Sequence, residues 1–439
     1  MPYTLSMSGD VATEQRPTLW TAAVRALELS LGWMPEGPCR AYWTWALASD
    51  THRDEWLQVS GLAAIVRLYE SMFARFLTAD ERTLLVPYAA AIIVQQTYEV
   101  LTDNLAIGLA EPASTDRTAE ARRHVLAIYN RVMVDKLGGA KESVAQLLEP
   151  ARAAASELSA FAQNHNPGKT RTLASAFTTD TELRAALDHD LWPALVASCE
   201  ATLALGRQLT GTAIGPMVTA GLAARYWGVS ALIAGEVFGL EKRLTIGADT
   251  ILVRPTLAFF AGVLAQEIRP MSAWAGVVAD GTLGRALGHS ALLVRLLNDV
   301  GTVLLTADDA AVASQIVHLQ DAALAHENTT LRALFGECLT ALGPAFARIY
   351  KDVALREFNV ALDERASRPA TACVAEFTTL LGELRQSFSA RSRSLHIELT
   401  ALSQRLGDTL LSDIVTAFVQ FHAQLYLHHF DDARGEFAI

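Results

Sequence analysis

Apolar residues recur at three- and four-residue spacing along almost the whole chain, and runs that alternate apolar with polar residues are essentially missing. That periodicity confines the fold to packed helices, because the apolar stripe of each helix must be covered by another. The helical stretches are 18–31, 58–77, 84–107, 118–137, 141–163, 182–210, 216–240, 283–306, 309–326, 328–354, 371–390 and 395–429. Breaks between them are legible at Pro35-Glu-Gly-Pro38, Glu111 to Asp116, Asn164 to Gly168, Gly211 to Pro216 and Arg269-Pro270. Asp180 supplies a carboxylate to cap a helix that begins at Thr181.

With 51% apolar and 19% charged residues, the 439-residue chain has material for a thick core. The net charge is −11, and no stretch is dense enough in Lys and Arg to neutralise many phosphates, which argues against nucleic-acid binding. Met1 to Gln15 contains Asp10 and Glu14 and no apolar run, so a secretory signal is not expected. Cys39, Cys199, Cys338 and Cys373 are far apart and read as reduced thiols of a cytoplasmic protein. Residues 214–235 are apolar enough to span a bilayer, and 255–265 are apolar too; Arg225 interrupts the first, and both read as core helices rather than a stable membrane span.

The expected fold is all-α: one bundle over 1–364, with 138–190 as an inserted Ala-rich helical pair bearing a flexible Asn/Pro/Gly tip. Residues 365–439 form a C-terminal helical appendage, either part of the same bundle or a surface for a homodimer.

Asn298, Thr302 and Thr306 fall at i, i+4 and i+8, so on one continuous helix they share a face. An amide oxygen and hydroxyls in that register supply part of the octahedral shell of Mg²⁺, with water and phosphate oxygens completing it. Arg295 lies one turn earlier, where a guanidinium would reach the same phosphate. Leu292, Leu293, Val294, Leu296, Leu297 and Val300 surround these polar groups, and a buried Asn-Asp pair requires partners.

Asn298-Asp299-Val-Gly-Thr302 resembles the first half of the helix motif N-D-x-x-S-x-x-x-E of bacterial class I terpene synthases. Arg243-Leu-Thr-Ile-Gly247 resembles that family's diphosphate-sensing arginine in a helix that breaks, R-x-x-x-G. The resemblance implies an orthogonal α-helical bundle with extra helices inserted and at the C-terminus. It implies a carbon–oxygen lyase that ionises and cyclises a C10–C20 prenyl diphosphate with Mg²⁺. On that reading Arg243 grips the diphosphate, and Ile246 and Gly247 sit at the helix break with a carbonyl aimed at the nascent cation. Arg348-Ile-Tyr350 is the nearest match to an Arg-Tyr pair that also contacts diphosphate. Two departures stand out. Position 306 is Thr where the motif ends in an acid, followed by Asp308 and Asp309. The upstream aspartate-rich motif is represented only by Gln95-Gln96-Thr-Tyr-Glu99 and Asp103. Glu99 and Asp103, at i and i+4, are the candidate metal carboxylates there, with Asp188-His-Asp190 a third acidic cluster.

A carbocation needs an apolar, water-poor cavity with aromatic faces. Gln95, Tyr98, Tyr226, Trp227, Phe238, Phe259 and Trp274 are the candidate lining; Phe259 and Phe260 are not expected to face inward together. Two other readings compete. One is a non-catalytic or metal-independent terpenoid-binding relative, which accounts for the missing acids. The other is a helical di-iron oxygenase using His396, Glu398, His422, His428, Asp431 and Asp432, although no Glu-x-x-His pair occurs.

Overall fold

The computed structural model describes residues 18–109, 118–163, 167–337, 342–362 and 364–427. Among these the chain is all-α, and the only β-type pairing is an isolated bridge between Thr330 and Pro369. The described residues fall into two compact units. Those within Met1–Ala106, Thr115–Trp227 and Ala258–Trp274 form the first, and those within Ile107–Ser114, Gly228–Leu257 and Ala275–Ile439 form the second. Residues 365–427 therefore share a unit with the helix that carries Asn298.

The first unit is built on helix Ala79–Ala106. It starts with a reciprocal cap: the Thr78 hydroxyl accepts from the Glu81 N–H, and the Glu81 carboxylate accepts from the Thr78 N–H. Pro87 lies inside this helix. It is the one helix among the described residues long and apolar enough to cross a membrane (two, if the bent pair Leu240–Thr250 and Val253–Ile268 counts as one span), and 61% of its apolar window is buried within the protein. Trp43 stacks on Tyr98 at 5.3 Å and meets Trp56 edge-on at 4.7 Å, so these rings are core. Both Phe259 and Phe260 are fully buried, contrary to expectation. Phe260 packs on Tyr69 and Phe73 while Phe259 faces Tyr88, because the helix is enclosed on more than one side.

Residues 138–190 are not a pair of helices. Short pieces at Val144–Leu148, Arg152–Ala155, Pro167–Phe177 and Thr181–Asp188 replace it, and Asn164 to Asn166 of the expected tip lie outside the described residues. Asp180 caps the last piece by accepting from the Glu182 and Leu183 N–H groups. Asp188 accepts from the Ser159 hydroxyl and the Phe161 N–H, and Asp190 from the Cys39 N–H, so this acidic cluster ties together segments distant in the chain.

The second unit centres on helix Thr282–Val300, packed against helices Leu240–Thr250, Ala370–Leu406 and Leu410–Leu425. Its core joins Leu296, Leu297 and Val300 to Phe335, Phe346, Phe377 and Leu384. The expected boundary near 391–394 does not exist: the helix runs unbroken through Leu406 and ends at Gly407, whose φ of 66° only glycine adopts cheaply. The stretch 328–354 is likewise divided, into Leu331–Glu337 and Ala347–Ala354.

Candidate functional site

The two sequence strings meet in the second unit. Gly247 lies on helix Leu240–Thr250, and a β-carbon placed there would stand 3.2 Å from Arg295 Nε and 3.1 Å from the Phe358 ring. Only glycine lets the two helices close to this distance without displacing Arg295. Arg243 is one turn before Gly247 and itself buried, so it shares the helix face turned toward the helix of Arg295.

Arg295 reaches Asp299 one turn later through Nε at 2.9 Å and Nη2 at 2.7 Å, and donates to the Phe358 carbonyl at 2.9 Å. Its guanidinium also lies 5.1 Å from the Phe358 ring centre. Asp299 is fully buried and further accepts from the Val360 N–H at 2.7 Å. Burial pushes its carboxyl up to about 6 against the opposing pull of Arg295. Asn359 bridges the Asp299 main-chain oxygen and the Asp352 carboxylate, and Lys351 joins Asp352 to Glu357. Burial raises the Glu357 carboxyl, with Lys351 acting the other way. Among the charged groups of this network, Arg295, Arg348 and Lys351 balance Asp299, Asp352 and Glu357.

The helix carrying Asn298 ends at Gly301, with φ 90°, and Thr302–Thr306 is a separate short helix. The expected common face of Asn298, Thr302 and Thr306 is therefore broken, because a left-handed residue interrupts the α-helical register. The Thr302 hydroxyl donates to the Ala423 carbonyl at 2.6 Å, and the Thr306 hydroxyl turns back onto the Thr302 carbonyl. Asp308 caps the next helix through the Ala311 N–H, and Asp309 pairs with Arg385. Arg348 donates to the side-chain oxygen of Asn298 at 2.6 Å and stacks over Tyr426, so its aromatic partner is Tyr426 rather than Tyr350. Tyr350 itself is half-buried.

The helix break also falls elsewhere than expected. Helix Leu240–Thr250 continues through Gly247 and gives way at Ile251-Leu252, where Leu252 has φ 58°. The Gly247 carbonyl accepts from the Thr250 hydroxyl, and the Ile246 carbonyl packs beneath Gly228, so neither is held out toward a ligand.

In the first unit, Glu99 and Asp103 do share a helix face, and Arg225 lies between them. Arg225 pairs closely with Asp103 and stands 3.5 Å from Glu99. Glu99 is buried and also accepts from Tyr226, from the Thr102 hydroxyl at 2.7 Å and from the Gln95 amide at 3.3 Å. Burial raises its carboxyl despite the Arg225 charge. Tyr226 is thereby a core hydrogen-bond donor, linked on to Thr202. Tyr98 bonds Ser30, and Trp274 is buried. Trp227 and Phe238 are 66% and 74% exposed and do not line an enclosed pocket within their units. The first unit does hold an open groove of about 520 Å³, lined by Val134, Leu137, Gly211, Pro216 and Thr219 among others, none of them a residue singled out by the motifs.

The Mg²⁺ that the motifs imply does not fit these residues as they are disposed. Asn298 is held by Arg348, Thr302 is spent on a carbonyl, and Glu99 and Asp103 enclose a guanidinium. Among the described residues no three His, Cys, Asp or Glu side chains group as metal ligands. Of the di-iron candidates, Glu398 pairs with Arg285, and the His422 ring contacts the Phe418 carbonyl. His428, Asp431 and Asp432 lie outside the described residues, as does Cys338. What periodicity could not reveal were Arg225, Lys351, Asp352, Glu357, Asn359 and Tyr426; buried charge in an apolar helix, as at Arg225, was the one available signal.

Comparison with known proteins finds no matching family model, no matching curated protein and no matching solved structure.

Proposed function

We propose that this chain is an atypical relative of the class I terpene synthases that takes a C10–C20 prenyl diphosphate and ionises it. The observation that carries this reading is the contact of Gly247 with Arg295, which sets Arg243 and Arg295 on facing helices. The Arg243 guanidinium is assigned the grip on the diphosphate, and its fixed charge favours departure of that group as an anion. Arg295, held by Asp299 and the Phe358 carbonyl, would take part only by exchanging those partners for phosphate oxygens. No step is assigned to Mg²⁺.

A second reading, a non-catalytic terpenoid binder, is favoured by the occupation of Asn298, Glu99 and Asp103 by protein partners. One assay separates the two. Purified protein is incubated with geranyl, farnesyl and geranylgeranyl diphosphates, with Mg²⁺ and with EDTA, and released diphosphate is measured. Release that Arg243→Ala abolishes supports the enzyme. Absence of release from every substrate, with saturable binding of a neutral terpenoid, replaces it with the binder.

A further inference from the structure

The same substitution occurs at both motif positions where a divalent cation is implied. At the upstream motif, the two carboxylates one helical turn apart hold the Arg225 guanidinium. At the downstream motif, the Asn298 amide oxygen receives the guanidinium of Arg348. We infer that arginines occupy the cation positions of this chain, Arg225 between Glu99 and Asp103 in the first unit and Arg348 at Asn298 in the second, so that neither position takes a divalent metal. The inference stands on these contacts alone and is tested apart from the reading above.

The geometry favours Arg225 as a fixed counter-ion. Its side chain is 5% exposed, as buried as Glu99 at 4%, while Asp103 is 66% exposed. A hydrated metal reaching Glu99 would have to displace a guanidinium that already satisfies both acids. Mg²⁺ surrenders its water reluctantly and prefers sites with several open oxygens. Glu99 has few to offer, since Tyr226, Thr102 and Gln95 also donate to it. Removing the arginine would restore the lost ligand set: two carboxylates at i and i+4 and a glutamine side chain one turn before Glu99. Asn298 and Arg348 repeat the arrangement with a neutral ligand, and there Asp299 is already committed to Arg295. The stronger test is therefore at Arg225.

Mn²⁺ serves as the probe, its binding read by electron paramagnetic resonance on the full chain. Wild-type protein is expected to leave Mn²⁺ free. Arg225→Met, which keeps most of the side-chain volume, is expected to bind one Mn²⁺ at least tenfold more tightly, and the gain is expected to vanish in Arg225→Met/Asp103→Asn. Where Arg225→Met fails to fold alone, Mn²⁺ should restore its helical circular dichroism. Wild-type protein that binds Mn²⁺, or an Arg225→Met protein that neither binds Mn²⁺ nor is rescued by it, overturns the inference.

Discussion

Arg348 donates twice to Asn298, through Nε to its main-chain oxygen at 2.8 Å and through Nη2 to its side-chain oxygen at 2.6 Å. The first bond satisfies a carbonyl in the last turn of helix Thr282–Val300, where no intrahelical donor follows. The second fixes the Asn298 amide, whose nitrogen donates to Asp299 at 3.0 Å. One guanidinium thus ends the helix and orients the motif, and the Tyr426 ring 4.6 Å away covers its face.

That geometry needs a planar fork. Arg348→Lys should lose at least one of the two bonds and the stacking on Tyr426, lowering stability by about 1–3 kcal/mol, the cost of a buried acceptor left unmade. Arg348→Ala should cost more, because the side-chain volume is lost too. Urea unfolding of the three proteins checks the order; equal midpoints for wild type and Arg348→Lys would show that a point charge suffices.

Gly301→Ala should destabilise the second unit by roughly 1–3 kcal/mol, the combined cost of a left-handed L-residue and a tight contact. Gly301 has φ 90°, and an added β-carbon would approach Arg348 Cγ to 3.1 Å. The same change at Gly288, in the same helix with open space around it, should instead stabilise by up to about 1 kcal/mol through helix propensity. Thermal unfolding of both variants gives opposite shifts if backbone conformation is the cause.

His422 is held neutral, its ring pushed down to about 4 by burial. A base depressed in the folded state is protonated first in the unfolded chain. Its stabilisation is therefore complete above pH ~6.5 and is lost as pH falls toward 4. The side chain is half-buried, which screens part of the effect and leaves about 1–3 kcal/mol across that window. Replacing it by Phe, beside Phe418 and Tyr426, should flatten the wild-type loss between pH 6.5 and 4. A profile unchanged in the His422→Phe protein would assign the loss to other groups.

The all-helical fold and most helix starts were legible, since 3.6-residue periodicity and a cap such as Asp180 are local signals; the start at Ala79 behind Thr78, five residues before the expected 84, was not. The helix ends at Gly301 and Leu252 were not. Periodicity runs straight through 283–306, and a single left-handed residue costs too little to mark the sequence unless it is weighed against its neighbours. For the site, Gly247 and Arg295 lie against each other, a meeting that neither their spacing nor their periodicity specifies. The fate of Asn298, Glu99 and Asp103 depended instead on Arg348 and Arg225, which lie 50 and more than 120 residues away. Nothing in a helical pattern specifies which distant cation will meet a given acid.

The pair Arg295–Asp299 separates a removable ion pair from one that also serves the backbone. Asp299→Asn leaves the Arg295 charge buried without its counter-ion and should cost about 3–5 kcal/mol. Replacing both residues with apolar ones of similar size removes that penalty, and for an isolated buried pair the double variant is often neutral. Here it should recover at most about half of the loss. Arg295 also donates to the Phe358 carbonyl, and Asp299 accepts from the Val360 N–H, so Arg295→Met/Asp299→Leu strands two buried backbone groups at about 1–3 kcal/mol each. The Phe358 side of this loss should appear in Arg295→Met alone and the Val360 side in Asp299→Leu alone. Denaturant unfolding of the two single variants and the double variant closes the cycle. Full recovery in the double variant would mean that residues 358–360 find other partners once the pair is gone, and faster hydrogen exchange confined to that segment would mean that they do not.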